Sequence, residues 1–372
     1  MDKKGKITIN IKILNIYLII GLVIVLLMLG YKAYFTKPAE TPAEPTKLSQ
    51  LTVTVITPPK CDDCFEKEAF AAAISQLPKV NVTEEYLEYN STEGKKLIEE
   101  YNLTRLPAAI ITGDTEAVNI PNFPKKGSAY YFTETPPPYY DIKQKKVIGR
   151  VAVTYITHAL CPQCFNIAVY GTQLKDAGID VTSERTLDAT SADAMAMISR
   201  YGITKLPTML MSPDAMEYEI IRQAWPAVGS QHTDGMLILR NVTPPYYDLG
   251  DNKVHGLVTI TYVADKTCAE CYNVSLHRAL LEQGFGVHFA GEKSIDVSSL
   301  AGKDILRKYN ITLVPTVLLD KEAQAYAAVM AAWSEVGSVE PDGMLVFRRV
   351  DLLSSITYKD LATGNVSAST AG

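Results

Sequence analysis

The sequence lacks the motifs of several large protein classes. It contains no Walker loop, no HExxH or GxSxG motif and no dinucleotide-binding fingerprint, so it offers no familiar site for nucleotides, catalytic zinc or a serine nucleophile. It also lacks a basic block interleaved with aromatics, and its formal net charge is −5. No nucleic-acid partner is therefore expected. Cysteine is scarce: all 6 cysteines fall in three Cys-x-x-Cys pairs, which leaves none for other bridges.

Long apolar runs are lacking except near the N-terminus. Residues 13–29 carry no charge and only one strongly polar side chain, Asn15. About 17–25 apolar residues cross a bilayer as a helix, so this run suffices. The alternative is a cleaved signal peptide, whose apolar region would be shorter and would end near small residues. We therefore predict an uncleaved transmembrane anchor over residues 13–31.

Lysines flank this run unequally. Four precede it and two follow it: Lys3, Lys4, Lys6 and Lys12 against Lys32 and Lys37. Because an excess of cations marks the cytoplasmic side, residues 1–12 are expected inside and the bulk of the chain outside the cytoplasm. Residues 32–50 are rich in Pro, Ala, Glu and Thr, which predicts an extended linker. The chain is thus expected to be a single-pass cell-membrane protein with extracytoplasmic domains.

Beyond the linker, three segments repeat one pattern, and such a repeat sets the architecture. Each has a β-branched strand, a Cys-x-x-Cys pair, a helical pattern, a second strand and helix, and a Tyr-x-x-Thr-x-x-Pro phrase. The predicted domains are 51–148, 149–254 and 255–372, the last with a C-terminal tail. The first cysteine and the proline of the phrase are 46, 46 and 47 residues apart (Cys61 to Pro107, Cys161 to Pro207, Cys268 to Pro315).

This order of elements resembles the thioredoxin superfamily over nearly all of residues 51–350. A Cys-x-x-Cys pair alone is a weak signal. The same pair between a strand and a helix, with a proline at fixed distance in three repeats, is a strong one. The resemblance implies an α/β fold for each of three tandem domains, with a mixed central sheet flanked by helices. It implies that the first strand and helix of full-length thioredoxins are missing here, and no cofactor is expected.

The resemblance also implies roles for the repeated residues. The first cysteine sits at a helix N-terminus, where its thiolate is stabilised and can attack a disulfide; the second resolves the mixed disulfide. By this match the attacking thiols are Cys61, Cys161 and Cys268, and the resolving thiols are Cys64, Cys164 and Cys271. The proline corresponds to the family's cis-proline, beside which the preceding backbone can pair with an extended substrate strand. The implied substrate-binding residues are Leu106, Pro107, Leu206, Pro207, Val314 and Pro315.

Residues around the pairs predict different redox properties. Acidic neighbours disfavour a thiolate, so Cys61-Asp-Asp-Cys64 is expected to be the most reducing and Cys161-Pro-Gln-Cys164 the most oxidising. No pair has the tryptophan that precedes the family's cysteines. The strand position six before the first cysteine, where thioredoxins keep a buried acid, holds Val55, Tyr155 and Tyr262. Fast general reductase activity is therefore not expected, whereas oxidase, isomerase and slow relay roles stay open.

Other segments have simpler interpretations. Trp225 and Trp333 are predicted to be core residues. The Pro-Pro-Tyr-Tyr-Asp segments at 137–141 and 244–248 are predicted to be linkers that pack aromatic rings against a domain edge, with a polyproline partner motif as the alternative. Zinc is disfavoured because a structural site needs four ligands, and the pairs lie in separate repeats.

The leading prediction is a membrane-anchored, extracytoplasmic thiol–disulfide oxidoreductase. Its partners would be the thiols and disulfides of secreted or envelope proteins, with the membrane engaged through the single N-terminal helix. The alternative from another class is a non-enzymatic scaffold of thioredoxin-like domains with stable structural disulfides. Against it, a disulfide that closes so short a loop stabilises a fold little. A third alternative is an electron conduit that serves a membrane redox partner.

Overall fold

The structure is a computed structural model that describes residues 48–121 and 123–369. The predicted cytoplasmic segment 1–12 and anchor 13–31 lie outside the described residues, as does nearly all of the linker 32–50. Within the described ranges no helix is both long and apolar enough to cross a membrane. The described chain divides into two compact units, one formed by residues 48–54, 68–85 and 110–131, the other by residues 55–67, 86–109 and 132–369. The predicted domain bounds stay predictions.

The three repeats form successive sets of strands and helices. The first contains β1 (Ser49–Thr57), α1 (Glu68–Ser75), β2 (Val80–Glu88), α2 (Thr92–Tyr101), β3 (Arg105–Leu106), β4 (Ala108–Gly113), β5 (Lys125–Lys126), β6 (Ala129–Phe132), β7 (Tyr139–Asp141) and β8 (Lys146–Ile148). The second contains β9 (Val151–Thr157), α3 (Val169–Asp176), β10 (Val181–Asp188), α4 (Ala192–Tyr201), β11 (Lys205–Leu206), β12 (Thr208–Met211), α5 (Glu219–Val228), β13 (Gly229–Gln231), β14 (Leu237–Leu239), β15 (Tyr246–Asp248) and β16 (Lys253–His255). The third contains β17 (Leu257–Ala264), α6 (Leu276–Phe285), β18 (His288–Asp296), α7 (Leu300–Tyr309), β19 (Leu313–Val314), β20 (Thr316–Leu319), α8 (Ala327–Val336), β21 (Gly337–Val339), β22 (Leu345–Phe347), β23 (Thr357–Asp360) and β24 (Val366–Ala368). Short 3-10 turns lie at Thr115–Ala117, Pro213–Glu217, Lys321–Ala325 and Val350–Leu352.

Each repeat builds a five-stranded mixed sheet. The strand orders are β2-β1-β4-β6-β5, β10-β9-β12-β14-β13 and β18-β17-β20-β22-β21. In the second and third sheets the first two strands run parallel, and the remaining strands join antiparallel. Three similar mixed α/β sheets fit tandem thioredoxin-like domains, as the sequence predicts.

Strand β9 shows why the central strands are apolar along their length. Its side chains alternate between the two faces of the sheet. Val151, Val153 and Tyr155 enter one buried cluster, which also contains Trp225. The neighbouring Ile156 enters a second cluster on the other face. Both faces are therefore covered, and the predicted core role of Trp225 is confirmed, as it is for Trp333 in the third repeat.

The second helix of each repeat ends in a left-handed residue. Gly202 has φ 58°, and asparagines occupy the same place in the other repeats, Asn102 with φ 51° and Asn310 with φ 48°. Asparagine tolerates this conformation better than other residues with a side chain. The structure thus explains the alternation of asparagine and glycine in the repeated phrase.

A second, smaller sheet stands beside each large one. The orders are β3-β7-β8, β11-β15-β16 and β19-β23-β24. In each, the last two strands form a hairpin, and the first strand of that hairpin pairs with the two residues just before the repeated proline. We call these the edge hairpins: residues 139–148, 246–255 and 357–368. The predicted linkers therefore do pack against a domain edge, but as strands of a sheet.

Candidate disulfide centres

The three cysteine pairs are closed as disulfides. The Sγ–Sγ distances are 2.02 Å for Cys61–Cys64, 2.00 Å for Cys161–Cys164 and 2.03 Å for Cys268–Cys271. We call them the first, second and third centres. Each lies on a turn that follows the first strand of its repeat. Within the described ranges, no group of three or more His, Cys, Asp or Glu is arranged to hold a metal ion.

The helix after each centre begins later than predicted. The sequence pattern predicts a helix directly after each pair, from Phe65, Phe165 and Tyr272, but the helices begin at Glu68, Val169 and Leu276. The amide N–H of the residue after the second cysteine forms its hydrogen bond outside the helix. It donates instead to an edge-hairpin segment, as when Phe165 donates to the carbonyl of Pro245 at 3.1 Å. Since the helix dipole acts mainly within the first turn, it stabilises a thiolate at the first cysteine less than the family pattern implies.

Burial differs from the expected pattern at the second centre. An attacking cysteine should be accessible, yet Cys161 is only 6% exposed. It lies in a buried cluster with Leu206 and Tyr247, against which Cys164 packs from a partly buried position. The first cysteines of the other two centres, Cys61 and Cys268, are partly exposed.

The prolines lie where the resemblance places them. The bonds Leu106–Pro107, Leu206–Pro207 and Val314–Pro315 are all cis, which confirms that prediction. At the second centre the Sγ of Cys164 is 3.7 Å from the carbonyl oxygen of Leu206. The structure thus brings together the disulfide and the residue before the cis-proline, the two parts from which substrate pairing is expected.

The edge beside each proline is already paired. Leu106 pairs with Tyr140, Leu206 with Tyr247 and Val314 with Lys359, all in antiparallel register. Of the residues predicted to bind an extended substrate, the three that precede the prolines are therefore paired with the chain's own edge hairpins. The sequence did not reveal the hairpin of the third repeat, because Tyr358-Lys-Asp360 replaces Tyr-Tyr-Asp and no Pro-Pro precedes it.

Each centre has a distinct charged or aromatic neighbour. At the first, the guanidinium of Arg150 binds the carboxylate of Asp63 and holds the pKa of Asp63 below its usual value. At the second, the rings of His158 and Tyr247 stack with centroids 4.0 Å apart. At the third, the ammonium of Lys359 lies 2.7 Å from a carboxylate oxygen of the buried Asp265. Hydrogen bonds from Lys359 and then Thr267 lower the pKa of Asp265 to about 2.

The third centre also has a network of polar groups around the hydroxyl of Tyr272. The hydroxyl of Tyr272 donates to the carbonyl of Pro315 at 3.0 Å and lies 2.9 Å from Nε2 of His277. Since that hydroxyl hydrogen is used on Pro315, Nε2 of His277 donates to the Tyr272 oxygen. Burial lowers the pKa of His277 to about 4, so the imidazole is neutral near pH 7.

The position that holds an acid in thioredoxins is filled differently here. Tyr155 is fully buried, and its hydroxyl donates to Glu184 at 2.8 Å. Glu184 also pairs with Lys175 at the surface. Desolvation and this hydrogen bond raise the pKa of Tyr155 above its usual value, so the phenol stays protonated and does not replace the missing proton acceptor.

The strand order, the disulfide after the first strand and the adjoining cis-proline fit the tandem thioredoxin-like domains that the sequence predicts. No family model matches the chain, and no curated protein matches it. Among solved structures, the chain is similar to ERdj5 form II, with 12% identity over 77% of this chain and 40% of that chain at a TM-score of 0.16. It is similar to full-length ERdj5, with 13% identity over 81% of this chain and 47% of that chain at a TM-score of 0.15. Human ERp44 shows 8% identity over 81% of this chain and 96% of its own, at a TM-score of 0.14. The matched region thus spans less than half of each of these two ERdj5 chains.

Proposed function

We propose that the chain is a membrane-anchored, extracytoplasmic thiol–disulfide oxidoreductase that acts on protein thiols and disulfides. The observation that carries this proposal is that the disulfide lies next to the residue before the cis-proline. At the second centre, Sγ of Cys164 is 3.7 Å from the carbonyl oxygen of Leu206. The catalytic residues would be the six cysteines. The substrate edge would be formed by Leu106, Pro107, Leu206, Pro207, Val314 and Pro315.

The proposed reaction is a balanced exchange. A substrate thiolate attacks Sγ of the first cysteine, an intermolecular S–S bond forms, and the second cysteine leaves as a thiolate that takes up a proton. A second substrate thiolate then attacks the substrate sulfur of the mixed disulfide and releases the first cysteine, which is protonated in turn. Two electrons and two protons have passed from the substrate dithiol to the centre, and the reverse sequence reduces a substrate disulfide.

Membrane anchoring is proposed from the sequence. The uncharged apolar run of residues 13–29 has the length of a bilayer-spanning helix. The lysine excess before it favours a cytoplasmic N-terminus. A test is protease treatment of intact cells that make the full chain. We expect loss of the three repeats and recovery of a short membrane-bound N-terminal fragment after alkaline washing. Protection of the repeats would reverse the proposed orientation.

The scaffold alternative draws support from one observation. Cys161 is only 6% exposed, and a buried disulfide beside an occupied strand edge suits a structural role. The two functions differ in reduction potential. Redox-active dithiols lie between about −120 and −270 mV, whereas structural disulfides lie below about −300 mV.

The deciding experiment is a redox titration of the full chain in detergent micelles. The chain is equilibrated across a graded series of thiol–disulfide buffers, free thiols are alkylated, and each pair is mapped by mass spectrometry. Under the oxidoreductase proposal at least one pair has a potential between about −120 and −270 mV. Three pairs that stay oxidised below about −300 mV would contradict it and favour the scaffold.

A further inference from the structure

The edge hairpins lie where an extended substrate would have to pair. We propose that they are resident strands that occupy the substrate edge of each centre, so that a cysteine-containing polypeptide reaches a centre only after its hairpin detaches. This inference rests on the proposed function and names what controls access to the same site. It is carried by two backbone contacts that recur in all three repeats and by side-chain contacts that occur in some of them.

The first recurring contact joins the hairpin to the cysteine turn. In every repeat the residue after the second cysteine donates its amide N–H to the carbonyl of the residue just before, or at the start of, the hairpin strand. The pairs are Phe65 to Pro138 at 3.2 Å, Phe165 to Pro245 at 3.1 Å and Tyr272 to Thr357 at 2.9 Å. The hairpin thus holds the turn that carries the disulfide.

The second recurring contact extends the pairing beyond the cis-proline edge. The residue that follows the first hairpin strand donates its amide to the threonine carbonyl of the Tyr-x-x-Thr-x-x-Pro phrase. The pairs are Ile142 to Thr104 at 3.0 Å, Leu249 to Thr204 at 2.8 Å and Leu361 to Thr312 at 2.8 Å. Together with the strand register, these bonds use the backbone groups that a substrate strand would need.

The third contact is made by side chains and differs between repeats. Tyr247 of the second hairpin stacks on His158, three residues before Cys161. Lys359 of the third hairpin occupies the same register position and binds Asp265, three residues before Cys268. An aromatic pair in the second repeat and an ionic pair in the third thus join equivalent positions. Each pair attaches the hairpin to the segment just before the disulfide.

The first two hairpins are also held by the repeat that follows each of them. Each hairpin leads into a glycine, Gly149 or Gly256, whose amide donates to a carboxylate of the next repeat, Asp214 or Glu322, at 3.0 Å. The glycine carbonyls accept from tyrosine hydroxyls at 2.7 Å and 2.6 Å. Detachment of these hairpins therefore has to strain or break contacts with the neighbouring repeat.

The occupant that fits the vacated edge is an extended polypeptide that carries cysteine. A small dithiol such as dithiothreitol needs no strand pairing, so it depends less on the hairpin. With either reductant, one thiolate attacks Sγ of the first cysteine and its second thiolate resolves the mixed disulfide. The reductant becomes a disulfide, and the centre gains two electrons and two protons.

The test compares two tyrosines of one hairpin strand in the full chain in micelles. Tyr247→Ala removes the stack on His158. Tyr246→Ala is the companion variant: its side chain points to the opposite face of the strand, where it contacts Lys205 of β11 and His255 of the same hairpin, so it loosens the hairpin without removing the stack on His158. The rate constant for reduction of each pair is measured with dithiothreitol and with a short synthetic peptide that carries two cysteines.

We expect Tyr247→Ala to speed reduction of Cys161–Cys164 by the peptide about tenfold, in line with the loss of one aromatic contact. Dithiothreitol should give a smaller gain, and the other two pairs serve as internal controls. Equal rates in Tyr247→Ala, Tyr246→Ala and the unchanged chain would overturn the proposal. So would an equal gain with both reductants.

The third hairpin gives an independent test should Tyr247→Ala fail to fold. Lys359→Met breaks the pair with Asp265, whereas Lys266→Met removes an exposed charge that lies close to Cys268 in sequence and does not touch the hairpin. Only Lys359→Met should speed reduction of Cys268–Cys271 by the peptide severalfold. Equal gains would mean that charge near the thiol, not detachment, sets the rate. Equal gains would contradict the role of the hairpin but would not change the reduction potentials from the redox titration, on which the proposed function depends.

Discussion

Arg150 binds Asp63 with two of its nitrogens, Nε and Nη2, each 2.5 Å from a carboxylate oxygen. Oδ1 of the same carboxylate lies 3.5 Å from Sγ of Cys61. The acid that the sequence places inside the first cysteine pair is therefore partly neutralised by a cation from the next repeat. The effect of Asp63 on the reduction potential of Cys61–Cys64 can therefore be tested separately from the effect of Arg150.

We predict that Arg150→Met makes the reduction potential of Cys61–Cys64 more negative by about 5–20 mV. An uncompensated carboxylate destabilises the thiolate of the reduced state. The expected shift takes an exposed ion pair to be worth about 0.2–1 kcal/mol and converts this energy at about 30 mV per 1.4 kcal/mol for a two-electron couple. Redox titration with mapped alkylation measures it. The double variant Arg150→Met/Asp63→Asn should lose this shift, and a shift of all three pairs would point to a global change instead.

Much of the architecture follows from local patterns in the sequence. The β-branched strands and the paired cysteines are where the repeat predicts them, because each depends on residues that are close in sequence, and the three prolines are cis as the resemblance implies. The occupied edges could not be predicted in this way. Pairing between Leu206 and Tyr247 joins residues 41 positions apart, and a three-residue strand such as Tyr246–Asp248 has too little alternation to be distinguished from a linker.

The late start of the helices has the same origin. A helical pattern at Phe165 indicates which side chains face the core, but it does not show where an amide hydrogen bond goes. Phe165 donates to Pro245, 80 residues further along the chain. This contact holds the segment before the helix, and i→i+3 bonds from Val169, Tyr170 and Gly171 to Asn166, Ile167 and Ala168 precede the first α-helical turn.

Gly171 and Gly284 give a paired prediction for stability. A Cβ on Gly171 would lie 2.2 Å from the hydroxyl of Tyr155, whereas a Cβ on Gly284 meets nothing within 4 Å. Gly171→Ala should therefore lower the free energy of unfolding of the second repeat by about 1–3 kcal/mol through overpacking. Gly284→Ala, in helix α6, should be neutral or should stabilise by up to about 1 kcal/mol. Both stability changes can be measured by urea unfolding, with hydrogen exchange used to monitor each repeat. Similar effects of the two variants would contradict the buried Tyr155–Glu184 contact.

The repeated Asp-Gly-Met tail ends in an arginine that caps a helix. Arg348 donates from Nη2 to the carbonyl of Tyr309 at 2.7 Å and from Nε to the hydroxyl of Ser338 at 2.6 Å. Arg348→Met should cost about 1–2 kcal/mol, because the last carbonyls of α7 lose a charged donor. Within the described ranges the side chain of the neighbouring Arg349 binds only Asp351, so Arg349→Met should change stability by less than about 0.5 kcal/mol. Thermal unfolding of the two variants side by side gives the comparison.

His277 predicts how the stability of the third repeat depends on pH. Burial lowers its pKa to about 4, whereas an unfolded histidine has a pKa of about 6.5. Above that value both states are neutral and the contribution of His277 is complete. As the pH falls, the unfolded state binds a proton first, so stability is lost progressively between about 6.5 and 4. The loss at pH 5 should be about 2 kcal/mol relative to pH 7.

The variant His277→Phe tests this directly, because Phe70 fills the corresponding place in the first repeat. Hydrogen exchange of strand β17, corrected for the intrinsic effect of pH on exchange, should show a shallower fall in stability than the unchanged chain. The control His288→Gln removes an exposed imidazole from the same repeat and should keep the original slope. If His277→Phe keeps that slope as well, the imidazole of His277 is protonated within the folded repeat, and the network through Tyr272 to Pro315 has to be rearranged to hold the charge.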